Sequence, residues 1–247
     1  MRSIDVVSCL IPPKKAMTSD LLLFGAGGAL GSAIGAHLLD QGFTLHTAGG
    51  STLPGAASHY PLSYDAPLEA STFVGLPSLE AVVWAQGLNC SDTVATFEAN
   101  DLQHLLQANV LFIASSIQAL LAAGRLAEGC RLVVVSSIWQ LESRPGKFSY
   151  TISKAALQGL VKSCALDLGP RGIVINAVLP GVVDTPMTRA HLSAEQIAAI
   201  TSQSALGRLP QPVDIAAAVG FLASPANRAI TGQSLTVDAG FIGLKHA

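Results

Sequence analysis

Tyr150 and Lys154 stand four residues apart in the run Tyr150-Thr151-Ile152-Ser153-Lys154. On a helix that spacing puts both side chains on one face, so the ammonium can sit near the phenol. A free phenol titrates at about 10, and a fixed neighbouring cation favours phenolate. Such a tyrosine can give a proton to a developing alkoxide or take one from an alcohol. The segment 131–154 supplies the setting: a strand-like run, then Ser136-Ser137, then Tyr150 and Lys154 opening a helix. A hydride, where one moves, belongs to a nicotinamide rather than to any side chain.

A binding feature lies upstream. Leu21-Leu22-Leu23-Phe24 runs straight into Gly25-Ala26-Gly27-Gly28-Ala29-Leu30-Gly31, and an amphipathic helix follows. Glycines at a strand-to-helix turn let the backbone approach a pyrophosphate, whose charge then rests on the helix N-terminus. A tight turn would also use glycine, but this one follows the first strand and opens a helix, as a dinucleotide fingerprint requires. After the second strand, a carboxylate would bind the ribose diol of NAD and an Arg would accept the extra phosphate of NADP. The strand ends in His46-Thr47-Ala48-Gly49-Gly50-Ser51, with neither. The missing acid removes a repulsion, and the hydroxyls of Ser51 and Thr52 remain to meet a phosphate. This favours NADP(H) over NAD(H).

The elements that must hold these groups follow from periodicity. Strands are expected at Leu21–Phe24, Thr44–Thr47, Ala81–Trp84, Leu132–Val135, Val174–Val178 and Ser234–Val237, with a weaker one near Tyr60–Leu62. Helical patterns fall at 29–40, 98–123, 149–168 and 212–223 between them. This alternation implies right-handed crossovers and a doubly wound α/β fold, a parallel Rossmann-type sheet of about seven strands with helices on both faces.

Composition narrows the setting. Charged residues make up 12% of the 247 residues and apolar ones 50%, with 14 basic and 16 acidic side chains. So much apolar surface excludes a disordered chain, and a net charge of −2 argues against a nucleic-acid or anionic-membrane partner. The uncharged stretch from Leu102 to Gly124 carries Gln103, His104, Gln107, Asn109 and Gln118, too polar for a lipid-facing span. It reads as a helix buried along much of its circumference. Low charge together with such helices suggests surface covered by other subunits. Residues 1–18 read as a loose extension without a secretory signal, with Met17 a possible start, and residues 19–247 as one domain. Cys9, Cys90, Cys130 and Cys164 are scattered and form no metal or disulfide framework, which fits reduced thiols in a cytoplasmic protein.

With these motifs in order, the chain resembles the single-domain short-chain dehydrogenase/reductase family over roughly residues 20–243. Ser137 precedes Tyr150 by that family's spacing, and Asn109, in Gln107-Ala108-Asn109-Val110, falls where it places a fourth catalytic residue. Asn176 through Met187 resembles its cofactor-closing segment. Ile230-Thr231-Gly232-Gln233 through Val237-Asp238-Ala239-Gly240 resembles its C-terminal signature. The resemblance implies Tyr150 as general acid/base and Lys154 as the group that depresses its pKa and holds the nicotinamide ribose. It implies Ser137 as donor to the substrate oxygen and Asn109 as holder of a water in a proton relay. Thr185 and the Val183 backbone, beyond the Pro180-Gly181 turn, would hold the carboxamide, and Asp65 would meet the adenine amino group. Dimers or tetramers would pack through the 98–123 and 149–168 helices.

The chain departs from that pattern in three places. Phe24 replaces the usual Thr before the first glycine, and Ala29 replaces the middle glycine, leaving Gly25, Gly28 and Gly31. Trp84-Ala85-Gln86-Gly87 stands for Asn-Asn-Ala-Gly. Gly87 keeps the close approach, and Gln86 is the group able to take over lost amide contacts. The loop after Ser137 and the helically patterned segment 187–206 are expected to shape the substrate pocket, with Trp139 and Met187 as apolar walls and 187–206 as a lid. The expected activity is interconversion of a small-molecule carbonyl and secondary alcohol with NAD(P). The rival is a non-catalytic dinucleotide-binding sensor or interaction protein on the same fold.

Overall fold

The computed structural model describes residues 19–66 and 68–244, so the expected N-terminal extension and Cys9 lie outside the described residues. Seven strands are present: β1 Ser19–Phe24, β2 Phe43–Gly49, β3 Ser58–Pro61, β4 Leu79–Trp84, β5 Leu126–Val135, β6 Val174–Pro180 and β7 Ser234–Val237. They form one sheet in the order β3-β2-β1-β4-β5-β6-β7, and every pairing is parallel. Strand order reverses between β1 and β4, which opens a crevice beyond their C-terminal ends. The helices are α1 Ala29–Asp40, α2 Ala99–Leu106, α3 Phe112–Ala122, α4 Phe148–Leu168, α5 Pro186–His191, α6 Ala194–Gln203 and α7 Pro212–Ala223.

Because side chains alternate across a strand, the near-continuous apolar runs bury both faces of the sheet. Leu22, Val82, Trp84, Leu132 and Val134 face one core with Phe112, Ile117, Leu157 and Val161. Leu21, Leu23, Val83 and Val133 face the other with Ile34, Leu38, Ile215 and Val219. The doubly wound fold is as expected, with two local differences. β5 begins at Leu126 rather than Leu132, because Leu79 pairs with Leu126 before an irregularity shifts the register to Ala81–Arg131. Glu128 and Gly129 in that first half hide its strand character.

The helix expected over 98–123 is interrupted by a π turn at Gln107–Leu111, where the Phe112 N–H reaches back to the Gln107 carbonyl. Inserting a residue into the helical ladder this way is a feature that recurs at functional sites. By length and composition Ala99–Ala122 could cross a membrane, but half of its apolar window is buried within this domain.

Phe24 and Trp84 explain each other. Their rings stack at 5.7 Å and 6°, and Phe112 meets Phe24 edge-on at 5.5 Å. The Trp84 indole N–H donates to Ser116 Oγ at 2.8 Å, so its polar end is satisfied within the core.

Candidate active site

The C-terminal ends of β1, β4, β5 and β6 deliver the expected groups to one crevice. After β1, Gly25 adopts φ +79°, and a Cβ on it would run into the backbone of Ala85 and Gln86. A Cβ on Gly31 would overlap the Gly25 carbonyl oxygen. The turn is thus locked against the end of β4 by glycine at both positions. Gly28 is the N-cap of α1. It provides no side-chain cap, and the first turn, with Ala29, Leu30 and Gly31, carries no acidic residue. Ser51, after β2, packs over Gly27, where a Cβ would meet its Cβ and Oγ.

Asp65 does not come to this turn. Its carboxylate is exposed and bonds His104 at 3.1 Å. Tyr64, which sequence reasoning passed over, occupies that place. Its ring meets Phe112 edge-on at 4.9 Å, and its hydroxyl lies beside Gly25, whose N–H donates to the Ala48 carbonyl at 3.3 Å. A side chain on Gly49 would collide with that hydroxyl.

Beyond β4, Gln86 is buried, and both its amide atoms lack a hydrogen-bond partner among the described residues. Ala85 holds the strand end through its N–H to the Phe24 carbonyl at 3.0 Å. A Cβ on Gly87 would sit 3.4 Å from both Asn109 Oδ1 and Lys154 Nζ, so this glycine lies against the two polar side chains.

Asn109 sits on the π turn with its side chain turned inward. Its Oδ1 accepts from the Leu88 N–H at 2.8 Å. Its Nδ2 donates to the Leu88 carbonyl and to Ser153 Oγ, both at 3.0 Å. Both amide N–H groups are thereby committed to fixing the loop after β4 and tying it to α4, while Oδ1 keeps one acceptor position.

Ser137, at the end of β5, caps a short 3-10 turn (Ile138–Gln140) by accepting the Trp139 N–H at 3.3 Å. Its hydroxyl also faces that of Tyr150. Tyr150 and Lys154 lie on the first turns of α4, whose leading N–H groups are satisfied from a distance. The Phe148 N–H donates to the Asp92 carbonyl at 3.3 Å, and the Ser149 N–H to Asp92 Oδ1 at 3.0 Å. Burial pushes the Tyr150 phenol up to about 12, with the Ser137 hydroxyl acting the other way. Burial pulls Lys154 down to about 8. Its ammonium reaches the Val135 carbonyl at 3.5 Å and lies 5.6 Å from the Tyr150 ring centroid. A protonated buried lysine with so little compensation is costly, and a polar ligand group beside Lys154 would offset that cost.

On the far wall, Pro180 ends β6, and a Cβ on Gly181 would press on Asp238. The Val183 carbonyl accepts from Thr188 Oγ1 at 2.6 Å, and Thr185 caps α5 by accepting the Thr188 N–H at 3.2 Å. Asp184 holds Arg189 bidentately at 2.7 Å and accepts from Gln211 at 3.1 Å, while its N–H donates to Pro210 at 2.9 Å. The base of the 185–209 segment is thereby closed, while α5 and α6 within it bury no side chain. Met187 is exposed, and Trp139 is half-buried beneath the Arg144 guanidinium, 5.7 Å away.

Similarity to known proteins agrees with this geometry. Residues 75–242 match a family profile described as Enoyl-(Acyl carrier protein) reductase. Cyclopentanol dehydrogenase of Comamonas testosteroni is 36% identical over 165 residues, 66% of either chain. The chain thus spans just under two thirds of that relative. A 3-oxoacyl-[acyl-carrier-protein] reductase of Vibrio harveyi is 29% identical over 89% of this chain and 95% of its own. A short-chain dehydrogenase/reductase from Serratia marcescens superposes with a TM-score of 0.82 at 26% identity, over 92% of this chain and 98% of that one. Profile, relatives and sheet order converge on one conclusion: the chain belongs to the short-chain dehydrogenase/reductase family.

Proposed function

We propose that the protein is an NAD(P)-dependent oxidoreductase that interconverts a carbonyl and a secondary alcohol. The observation that carries this reading is the Ser137–Tyr150–Lys154 set, buried at Ser137 and Lys154 and half-buried at Tyr150, at the mouth of a glycine-lined crevice. Three features of the crevice fit a dinucleotide: the uncapped, acid-free N-terminus of α1, the unpartnered amide of Gln86, and the buried ammonium of Lys154. The main-chain N–H groups of the α1 first turn would hold the pyrophosphate. Lys154 would hold the ribose hydroxyls, and Gly181, Val183 and Thr185 would border the nicotinamide. A bound nicotinamide dinucleotide supplies or accepts the hydride.

In the reducing direction Tyr150 gives its phenolic proton to the carbonyl oxygen, and in the oxidising direction it takes the proton from the alcohol. Ser137 donates to the same oxygen as its charge grows. Lys154, placed against the phenol, favours phenolate when charged. NADP(H) is the favoured cofactor, since Ser51 and Thr52 offer hydroxyls and no carboxylate repels a phosphate. The segment 187–206 acts as a lid, and Trp139 with Met187 forms apolar walls for the substrate.

The test is a parallel titration with NADPH and NADH, followed by a ketone panel with the wild type and Tyr150→Phe. The variant should bind dinucleotide within about two-fold of wild type and lose at least about a thousand-fold in kcat/KM, the scale of a general acid/base contribution. Turnover by Tyr150→Phe would reassign the proton-transfer group. Failure of either dinucleotide to bind below about a millimolar Kd, near −4 kcal/mol, would favour a non-catalytic role for the fold.

A further inference from the structure

A second cation lies against Tyr150. Lys147 Nζ is 5.4 Å from the centroid of the Tyr150 ring, against 5.6 Å for Lys154 Nζ. Lys147 is the N-cap of α4, three residues before Tyr150, and is buried. Its ammonium donates to Asn89 Oδ1 at 2.8 Å, the Cys90 carbonyl at 3.0 Å and Ser91 Oγ at 3.5 Å. All three acceptors are neutral. A bonded carboxylate would cancel the charge, whereas neutral acceptors solvate the ammonium without neutralising it, and the nearby Asp92 charge offsets only part of its field. The carboxylate of this loop, Asp92, is committed to the Ser149 N–H. Loop 89–92 and the first turn of α4 thus staple each other, and the staple fixes both the ring and the cation beside it.

We infer that Lys147 is a positioning residue for proton transfer: its charge, held against Tyr150 by the 89–91 loop, favours the phenolate and sets the pH at which Tyr150 exchanges its proton. The inference rests on Tyr150 being the proton-transfer group. The other groups around the phenol do not replace this cation. Ser137 is neutral, and the Cys90 thiol, pushed up by burial and by Asp92, stays protonated. Lys154 is drawn toward its neutral form by burial. Asp92 stays charged, with the Ser149 and Cys90 hydrogen bonds and Lys147 outweighing its slight burial. Lys147 is itself lowered, first by burial and then by the exposed Arg144, with Cys90 and Asp92 acting the other way.

The experiment is the pH dependence of kcat/KM for oxidation of a secondary alcohol by wild type, Lys147→Gln and Lys147→Arg, with Tyr150→Phe alongside. In this direction phenolate is the base, so the rate falls as pH drops below its pKa. Lys147→Gln keeps a donor for Asn89 and the Cys90 carbonyl but no charge. Its acid limb should move up by about one pH unit, about ten-fold slower at a pH below the limb. Lys147→Arg should restore the limb, and dinucleotide affinity should not change in either. An unmoved limb in Lys147→Gln overturns the inference even if the plateau rate falls, because a merely structural lysine would lower the plateau alone. Turnover in Tyr150→Phe would instead remove the reading of Tyr150, whatever Lys147 does. Should Lys147→Gln not fold, Asn89→Ala removes the shortest of the bonds holding the ammonium. There a smaller upward shift supports the inference and an unmoved limb overturns it.

Discussion

The two halves of the crevice solve the burial of polar groups in opposite ways. On the β5–α4 side, Asn109, Ser153, Lys147 and Asp92 are bonded to one another or to backbone, and this network holds Tyr150 without help from a ligand. On the β1–β4 side, apolar packing has replaced polar linkage: Phe24 and Trp84 stack in the core, and Gln86 just beyond them has no partner among the described residues. The catalytic wall is therefore preorganised by hydrogen bonds, the nucleotide wall by aromatic packing and tight glycines. Buried polar groups are normally paired; Ser136 Oγ and Ser149 Oγ are exceptions on the catalytic wall, and the Gln86 amide is the exception on the nucleotide wall.

If aromatic packing carries the nucleotide wall, truncating it should have the largest effect. Trp84→Ala removes a fully buried ring, its stack on Phe24 and the bond to Ser116, and should cost about 3–5 kcal/mol in urea unfolding. Because Ser116 lies on α3, next to the π turn that carries Asn109, some loss of turnover should accompany it. A cost of about 1 kcal/mol or less would show that the stack is incidental and that the contrast between the walls is overstated.

Next in size is the buried ammonium of the catalytic wall, Lys154. In the unfolded chain it titrates at the ordinary 10.5 and in the folded protein at about 8. Between these values the unfolded chain holds a proton that the folded chain has released, so this group makes stability rise with pH across the window. The span is at most about 3 kcal/mol, at 1.36 kcal/mol per unit. Tyr150, raised from 10.0 to about 12, does the reverse: the folded phenol keeps its proton longer, and stability falls between those values. Urea unfolding of the ligand-free protein from pH 7 to 10 should show the rise, and Lys154→Met should flatten it. A flat wild-type curve would mean that Lys154 has a compensating anion.

How much of this could be read beforehand depended on the range over which each feature is encoded. Tyr150 with Lys154, and Gly25 with Gly31, are local patterns on predicted elements, and the structure brings them to one crevice. Lys147 was missed although it stands three residues before Tyr150, because its acceptors come from Asn89–Ser91 in a distant loop. The π turn at Asn109 leaves the apolar periodicity of 98–123 nearly undisturbed, so it read as an unbroken helix. Phe24 and Trp84 looked like two separate losses of polar contact until strand register placed them side by side. Tyr64 went unread because its ring packs on Phe112, far along the chain, while its neighbour Asp65 turns outward to His104.

The smallest expected effect is the sharpest test of the comparison. Gln86→Leu replaces an unpartnered buried amide with an apolar side chain of similar size, which removes a desolvation penalty without leaving a partner stranded. The ligand-free protein should gain about 1 kcal/mol, because the amide's unmade bonds are what it loses. Dinucleotide affinity should move the other way, weakening about five- to ten-fold, about one neutral hydrogen bond. Opposite signs in the two measurements would place the Gln86 amide on the cofactor. Lower stability together with unchanged affinity would mean that the amide belongs to the protein's own core, and that both walls are self-sufficient.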